Sequence, residues 1–251
     1  MAGAMGRSSM KMLVTRPEPD AQSTLARLRA MDIECVAAPV MVRQPLGASL
    51  PPPEGFTAMV VTSANAVRTL VERGQAEPYR HLPVFAVGDR TAAEATDAGF
   101  VRVSSAAGSF QDLVNAMTIA RMCGPIFYPS GKHQSADLAK ALAPLGVMVA
   151  TAKIYEMVAV EALPQSITAE LADGTIAAVL SYSRRTAELF AHLASGLGQH
   201  QRRRLGMLCL SEAVAVPLLE AHFTRIGLAD RPDENAMMAL ALAFAREQTG
   251  P

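Results

Sequence analysis

Four polar side chains in succession, Tyr182, Ser183, Arg184 and Arg185, stand between an apolar run, Ala177 to Leu180, and a segment in which Thr186, Leu189, Phe190 and Leu193 share one face. The pattern reads as a strand feeding a helix. The polar residues then occupy a helix N-terminus, where free backbone N–H groups and the positive end of the peptide dipole favour an anion. The phenol of Tyr182 beside two guanidiniums could donate a proton or a hydrogen bond to a leaving oxygen. It could equally pack in a cleft wall with its hydroxyl solvated.

The same layout occurs a second time, in AMVVTSANAVRTL from Ala58 to Leu70. Laying Ser63 on Ser183 places Val60 on Leu180, Thr62 on Tyr182, Asn65 on Arg185 and Leu70 on Phe190. GDRT, Gly88 to Thr91, offers a glycine for close backbone approach with Arg90 and Thr91 at a helix start, or an ordinary helix capped by Asp89 or Thr91. PSGKH, Pro129 to His133, puts Lys132 in a turn where it could meet an anion or stay solvated. The basic run Arg202 to Arg204 precedes a strand and is expected to cap the preceding helix or to face solvent.

Other chemistries lack their residue patterns. His81, His133, His192, His200 and His222 fall in no metal-ligand spacing, so metal catalysis is unsupported. There is no GxSxG turn for a covalent serine mechanism, no dinucleotide fingerprint and no GxxxxGK[ST] loop. Twenty-three basic against twenty-three acidic residues give a formal net charge of zero, which removes the global basic field that nucleic-acid binding uses. An anion must be met locally.

Residues of such a site need elements to hold them, and the chain supplies strands alternating with helices. LVTRP is a buried strand running into a turn; Asp20 to Met31 has helical spacing; Ile33 to Ala37 returns as a strand. Val40 to Leu46 and Thr151 to Val160 read as extended connectors lying side by side. Between them come strand–helix units at Ala58, Leu82 and Gly124, with a short strand at Phe100 to Val103 and a helix at Gln134 to Ala143. After Pro164 the middle pattern returns: RRRLGMLCLSEAVAVPLLEAHF matches LPVFAVGDRTAAEATDAGF, with Gly88 on Ser211 and Asp89 on Glu212, and RPDENAMM matches GSFQDLVNAM with Pro232 on Ser109. In the first copy the βαβ unit leads, and in the second it trails.

The expected architecture is therefore α/β, in two parallel-sheet domains. Domain 1 is discontinuous, residues 11–38 and 164–251; domain 2, residues 47–151, is inserted; 39–46 and 152–163 connect them. Ligands in such folds bind beyond the C-terminal strand ends, so the cleft between the domains is the expected site. Cys35, Cys123 and Cys209 show no paired spacing and are expected as buried free thiols in a reducing compartment. The start lacks the apolar stretch of a signal peptide and no apolar run reaches membrane-span length, which points to a cytoplasmic protein with a loose tail before Lys11. Two thin connectors lead to the expectation of a monomer with a flexible hinge.

LVTRP, VVTSANAV, VFAVGDRTA with GF after its helix, the KIYE connector and VLSYS, in this order from about Met12 to Phe244, resemble the uroporphyrinogen-III synthase family. The resemblance implies two flavodoxin-like domains joined by a two-stranded ladder. It implies cyclisation of the linear tetrapyrrole hydroxymethylbilane, with loss of water and inversion of ring D, giving uroporphyrinogen III without a cofactor, as part of tetrapyrrole, porphyrin and heme biosynthesis. It leaves room for a transient contact with the preceding enzyme of the pathway. Tyr182 matches in place the tyrosine of the family that assists departure of the hydroxyl. Thr62, Ser63, Arg90, Thr91, Lys132, Ser183, Arg184, Arg185 and Ser211 become the expected binding groups for a substrate with eight carboxylates. Three stretches depart from the family: SEAVA, where Glu212 would repel an anion unless it serves its helix; RPDEN, with two acids in place of a hydroxyl; and SANAV, with no arginine at the turn. The alternative from another class is a two-lobed tetrapyrrole or small-anion sensor that kept the fold and lost the reaction.

Overall fold

The apolar runs become the strands of two sheets in the computed structural model, which describes residues 10–106, 108–134 and 136–249. The expected loose tail, up to position 9, lies outside the described residues. In chain order the elements are β1 (Lys11–Val14), α1 (Asp20–Arg29), β2 (Cys35–Ala37), β3 (Met41–Pro45), β4 (Ala58–Val61), α2 (Ala64–Glu72) and β5 (Val84–Ala86). Then come α3 (Asp89–Asp97), β6 (Val103–Ser105), α4 (Phe110–Ile119), β7 (Ile126–Gly131), α5 (Leu138–Leu142), β8 (Val149–Ala159) and α6 (Gln165–Asp173). The last are β9 (Ile176–Ser181), α7 (Arg184–Leu193), α8 (Gln199–Arg204), β10 (Gly206–Cys209), α9 (Glu212–Glu220), β11 (Arg225–Leu228) and α10 (Glu234–Thr249). Contacts divide the chain into two compact units: unit 1 is Met1–Val42 with Val158–Pro251, and unit 2 is Arg43–Met157.

Unit 1 holds a five-stranded sheet in the order β11-β10-β9-β1-β2, parallel throughout. Alternate residues of its strands face opposite ways. Leu13, Val179, Met207 and Cys209 join Ile167, Ala187, Phe190 and Leu218 on one side, while Met12, Val14, Ala178, Leu180 and Leu208 meet Leu25, Leu28, Met237 and Ala241 on the other. Both faces are covered by helices, which is why these strands read as unbroken apolar runs.

Unit 2 has the sheet order β3-β8-β7-β4-β5-β6, parallel from β8 to β6. Met59, Val61, Val84, Ala86 and Phe127 pack with Val67, Leu70 and Ala95, and on the reverse Ala58, Val60, Ile126 and Tyr128 pack with Leu113, Met117, Leu138 and Leu142. Spatially, β6-β5-β4-β7-β8 repeats β11-β10-β9-β1-β2. The units thus share one strand order but start at different strands, which is the permutation legible in the repeats.

The matched turns correspond in detail. Ser63 and Ser183 are the N-caps of α2 and α7, and Ala66, Val67 and Leu70 are buried in one as Thr186, Ala187 and Phe190 are in the other. Gly88 and Ser211 likewise stand just before α3 and α9. One register differs: Ser109 caps α4, and its counterpart is Asp233, not Pro232. Asp233 Oδ1 accepts from Ala236 N at 2.9 Å, and proline has no side-chain acceptor to do so.

Four further expectations are corrected. The helix expected from Gln134 begins only at Leu138, where Asp137 caps it by accepting from Lys140 N, and it tightens into a 3₁₀ turn at Ala143–Leu145. The strand expected at Phe100 starts at Val103, because Phe100 is instead buried in the core beside α3. The connector expected from Thr151 is part of one continuous strand, β8, which begins at Val149 and whose Val149 to Tyr155 pairs with β7. Cys209 is buried, but Cys35 is only partly so and Cys123, in the turn after α4, is exposed; all three are free thiols.

β3 runs beside β8. Leu46 N donates to Ile154 O at 2.7 Å and Val160 N to Val40 O at 3.1 Å, so six residues forward on one segment correspond to six back on the other, the sense of an antiparallel pair. By that register Val42 lies opposite Val158 and Arg43 opposite Met157.

Candidate active site

In unit 1 the chain leaves β1 toward β2 on one side and leaves β9 toward β10 on the other, so a crevice opens beyond the ends of these two central strands. Thr15 Oγ1, fully buried, ties the strand ends by donating to Leu180 O at 2.9 Å. The next residue on one side is Arg16, and two past Leu180 on the other is Tyr182. They meet: the guanidinium carbon lies 4.1 Å from the centre of the phenol ring, within cation–π range.

Glu234 closes this group. Tyr182 Oη donates to Glu234 Oε1 at 3.0 Å, Thr24 Oγ1 donates to the same oxygen at 3.1 Å, and Arg16 Nη1 reaches Glu234 Oε2 at 2.7 Å. Arg16 also donates to Thr24 Oγ1 at 3.1 Å and has Asp20 at 3.8 Å. Burial, and next the negative charge of Glu234, push the Tyr182 phenol far above its ordinary range, against the opposing influence of Thr24 and Arg16. At neutral pH the group is a phenol and a hydrogen-bond donor.

The two acids of RPDEN have separate uses. Asp233 caps α10, and Glu234, in its first turn, is favoured by the dipole and holds Tyr182. The acids that stood as a departure thus build the site. Glu212 occupies the first turn of α9 in the same dipolar position and is exposed.

The other unit 1 candidates lie at helix starts. Ser183 is committed to a capping box: its Oγ accepts from Thr186 N at 3.2 Å while Thr186 Oγ1 accepts from Ser183 N at 3.2 Å. Arg184 is exposed and pairs with Glu188 at 2.9 Å. Arg185 is exposed on the same turn, and Ser211 precedes α9 without a side-chain cap bond.

In unit 2 the corresponding crevice, beyond β4 and β7, contains a cavity of about 370 Å³ whose lining includes Thr62, Ser63, Tyr128, His133, Gln134 and Tyr155. Thr62 Oγ1 and Tyr128 Oη are 2.9 Å apart, and Ser63 Oγ accepts from Asn65 N at 3.2 Å. Burial raises both phenols; the bond to Thr62 acts against it at Tyr128, and a bond with Ser63 does so at Tyr155. Gly131 makes room for the second ring, since a Cβ there would stand 2.9 Å from Tyr155 Cζ. Lys132 pairs with Glu156 at 3.0 Å, with His133 Nε2 3.4 Å from the same carboxylate, and the hydrogen bond from Lys132, against the opposing effect of burial, holds Glu156 below the usual carboxylate range. Arg90 is exposed on α3, whereas Thr91, 6% exposed, lies beneath the surface that a ligand would touch. Asp89 neither caps α3 nor stands free, since its carboxylate accepts from Ser105 Oγ at 2.6 Å.

Each unit therefore brings some of the candidates together: Thr62 with Ser63, and Tyr182 with partners that the motifs did not name. Arg16, Thr24, Glu234, Tyr128 and Tyr155 were missed. Arg16 carried a signal, standing just past the end of β1 as Tyr182 stands just past β9. Tyr128 and Tyr155 lie within apolar runs where only the hydroxyl distinguishes them from core residues. Among the described residues no group of three His, Cys, Asp or Glu is placed to hold a metal ion, and no helix is long and apolar enough to cross a membrane.

Comparison with known proteins finds the family model Uroporphyrinogen-III synthase HemD matching residues 22–239. No curated protein matches the chain. Among solved structures, uroporphyrinogen-III synthetase from Helicobacter pylori is similar at a TM-score of 0.66 and 18% identity, over 94% of this chain and 99% of that one. A mutant uroporphyrinogen III synthase from the extremely thermophilic bacterium Thermus thermophilus is similar at a TM-score of 0.53 and 17% identity, over 96% and 99%. At such identities the structures speak for the fold, and the family model takes in residues of both units, Tyr182 and Glu234 among them. The chain belongs to the uroporphyrinogen-III synthase HemD family.

Proposed function

We propose that the protein cyclises hydroxymethylbilane to uroporphyrinogen III, with loss of water and inversion of ring D, as a cofactor-independent lyase of tetrapyrrole biosynthesis. The observation that carries this is the family match across residues 22–239, with the two-sheet fold in support. The sensor alternative gains nothing from either.

The chemistry asks little covalent work of the protein. Loss of the hydroxyl together with the pyrrole N–H proton, as water, gives an azafulvene that would close unaided to the uninverted isomer, so the enzyme must favour attack at the substituted ring-D carbon. Tenfold discrimination needs only about 1.4 kcal/mol, comparable to one net hydrogen bond. Holding the acetate and propionate arms in one geometry supplies that.

In this reading Tyr182 assists the departing hydroxyl. Its O–H, held on Glu234 at 3.0 Å at rest, turns to the leaving oxygen as the C–O bond breaks. The raised pKa keeps the phenol protonated at rest; as its proton moves to the departing hydroxide, giving water, Arg16 over the ring offsets the charge that develops on the phenol oxygen, and the pyrrole N–H proton released by the substrate restores the phenol. Thr62, Ser63, Arg90, Lys132, Ser183, Arg184, Arg185 and Ser211 are the proposed carboxylate-binding groups; Thr91, being buried, supports its helix from beneath. Lys132 and Arg184 each already hold one carboxylate of the chain, so substrate would exchange for Glu156 and Glu188. Segments 39–46 and 152–163 are proposed as the connectors between domains 11–38 with 164–251 and 47–151. A cytoplasmic location and transient contact with the enzyme that supplies the substrate belong to the same reading.

The test is incubation with freshly generated hydroxymethylbilane, oxidation, and chromatographic separation of the isomers. Type III product is expected. Type I product alone, at the rate of spontaneous closure, overturns the assignment.

A further inference from the structure

At the opposite end of the unit 1 sheet, where β9, β10 and β11 begin, a cavity of about 340 Å³ is lined in part by Asp173, His200, Arg203, Arg204, Arg225 and Gln248. It lies beyond the start of β9, and Tyr182 lies beyond its end, a strand length of about 20 Å away. The cavity is thus separate from the crevice assigned to the reaction.

The three consecutive arginines near it have unequal employment. Arg202 is structural: its guanidinium donates to Leu197 O at 2.9 Å and Ala221 O at 3.0 Å and lies over the ring of Phe223. The side chains of Arg203 and Arg204 have no ion pair or hydrogen bond among the described residues, and both residues line the cavity. Arg225 joins them from β11, seated on the face of Phe244 at 4.3 Å. Phe244 is itself fixed by lying where a Cβ on Gly206 would clash with its ring. The carboxylates at hand are weak competitors. Glu247 is 3.7 Å from Arg225, beyond hydrogen-bond distance, and Asp173 Oδ1 is taken by Thr175 N at 2.8 Å; Arg225 itself donates to the side-chain oxygen of Gln248, through Nη1 at 3.2 Å and through Nη2, a neutral acceptor that a charged ligand would displace.

Basic residues in the last turn of a helix such as α8 complement its dipole, but that needs no concavity and no third arginine from a strand. In a chain of zero formal net charge, three arginines lining one hollow are a local excess. Arginine forks match the oxygens of carboxylate and phosphate alike. We propose that Arg203, Arg204 and Arg225 form a second anion site, which takes a small multiply charged phosphate or carboxylate and is independent of the reaction crevice.

Calorimetric titration of the full chain at low ionic strength, with inorganic pyrophosphate and separately with citrate, tests this. Saturable one-to-one binding of at least one anion is expected, and which of the two binds identifies the source chemistry. The double variant R203Q/R204Q, at exposed positions, should weaken binding at least tenfold, and R203Q alone about threefold. A charge-matched control in unit 2, R121Q/K140Q, should stay within twofold of the parent. Binding of neither anion, unchanged affinity in R203Q/R204Q, or an equal loss in the control overturns the proposal.

Discussion

The phenol of Tyr182 donates to Glu234 Oε1 across 3.0 Å, joining a turn after the central strand to the first residue of the last helix. The carboxylate is shared with Thr24 and Arg16, so it both fixes the ring and discourages its ionisation. Replacing Glu234 by Gln keeps an acceptor and removes the charge. The Tyr182 titration midpoint should then fall while remaining above an ordinary tyrosine, because burial persists. Ultraviolet titration of E234Q against E234Q/Y182F isolates this phenol, and an unmoved midpoint would show that the carboxylate does not govern it.

Tyr182→Phe leaves Glu234 with its bonds to Thr24 and Arg16, so folding should weaken by only about 1 kcal/mol. Turnover of hydroxymethylbilane should fall at least tenfold, with type III still the enzymatic product, since the departing hydroxyl loses its donor while the arms remain held. Full turnover by a normally folded Y182F would remove the phenol from the mechanism.

Ser183 caps α7 and also stands among the proposed carboxylate binders, and two substitutions separate these roles. Ser183→Ala should cost about 1 kcal/mol in urea unfolding. Ser183→Asp preserves the cap and should nearly restore stability, yet it sets a negative charge against an anionic substrate and should raise KM severalfold. An unchanged KM in the Asp variant would confine Ser183 to capping.

Burial alone pushes the Cys209 thiol from 9.0 up to about 12. Above pH 9 the unfolded chain loses this proton while the folded chain keeps it, so stability falls as pH rises toward the folded value, by about 1.4 kcal/mol per pH unit from this group. The raised tyrosines act in the same direction above about pH 10. Cys209→Ala should therefore start less stable at pH 8 but lose stability more slowly between pH 9 and 11. Parallel curves for the two proteins would refute the linkage.

Gly131 lies against the Tyr155 ring, so Gly131→Ala should displace the phenol from the unit 2 cavity. A loss of about 1–3 kcal/mol in thermal unfolding is expected, the range for overpacking. An unaltered melting temperature would mean that the ring can yield freely.

Much of this was legible because repetition doubles the signal. Ser63 and Ser183 aligned at once, and both proved to be caps with the same buried positions behind them. The strand–turn–helix units were marked by runs buried on both faces, which leave no polar alternation to confuse. Tyr182 stood out because the repeated strand–turn–helix layout put it just past a strand end. Its partners were not, because Arg16, Thr24 and Glu234 come from separate stretches that only the sheet order unites. Thr91 had the type and position of a ligand-facing residue, yet helical phase turns it inward. Lys132 and Arg184 were legible as cations, but no spacing rule disclosed that Glu156, on the neighbouring strand, holds the first.

Because Val42 faces Val158 and Arg43 faces Met157 across adjoining antiparallel strands, the chain passes between its two units at a single seam. Severing it there would leave each half with its cut ends roughly 5 Å apart, close enough for a two-residue reverse turn to seal. The smaller half is in that sense a cassette, removable or replaceable without re-threading the strands of its host.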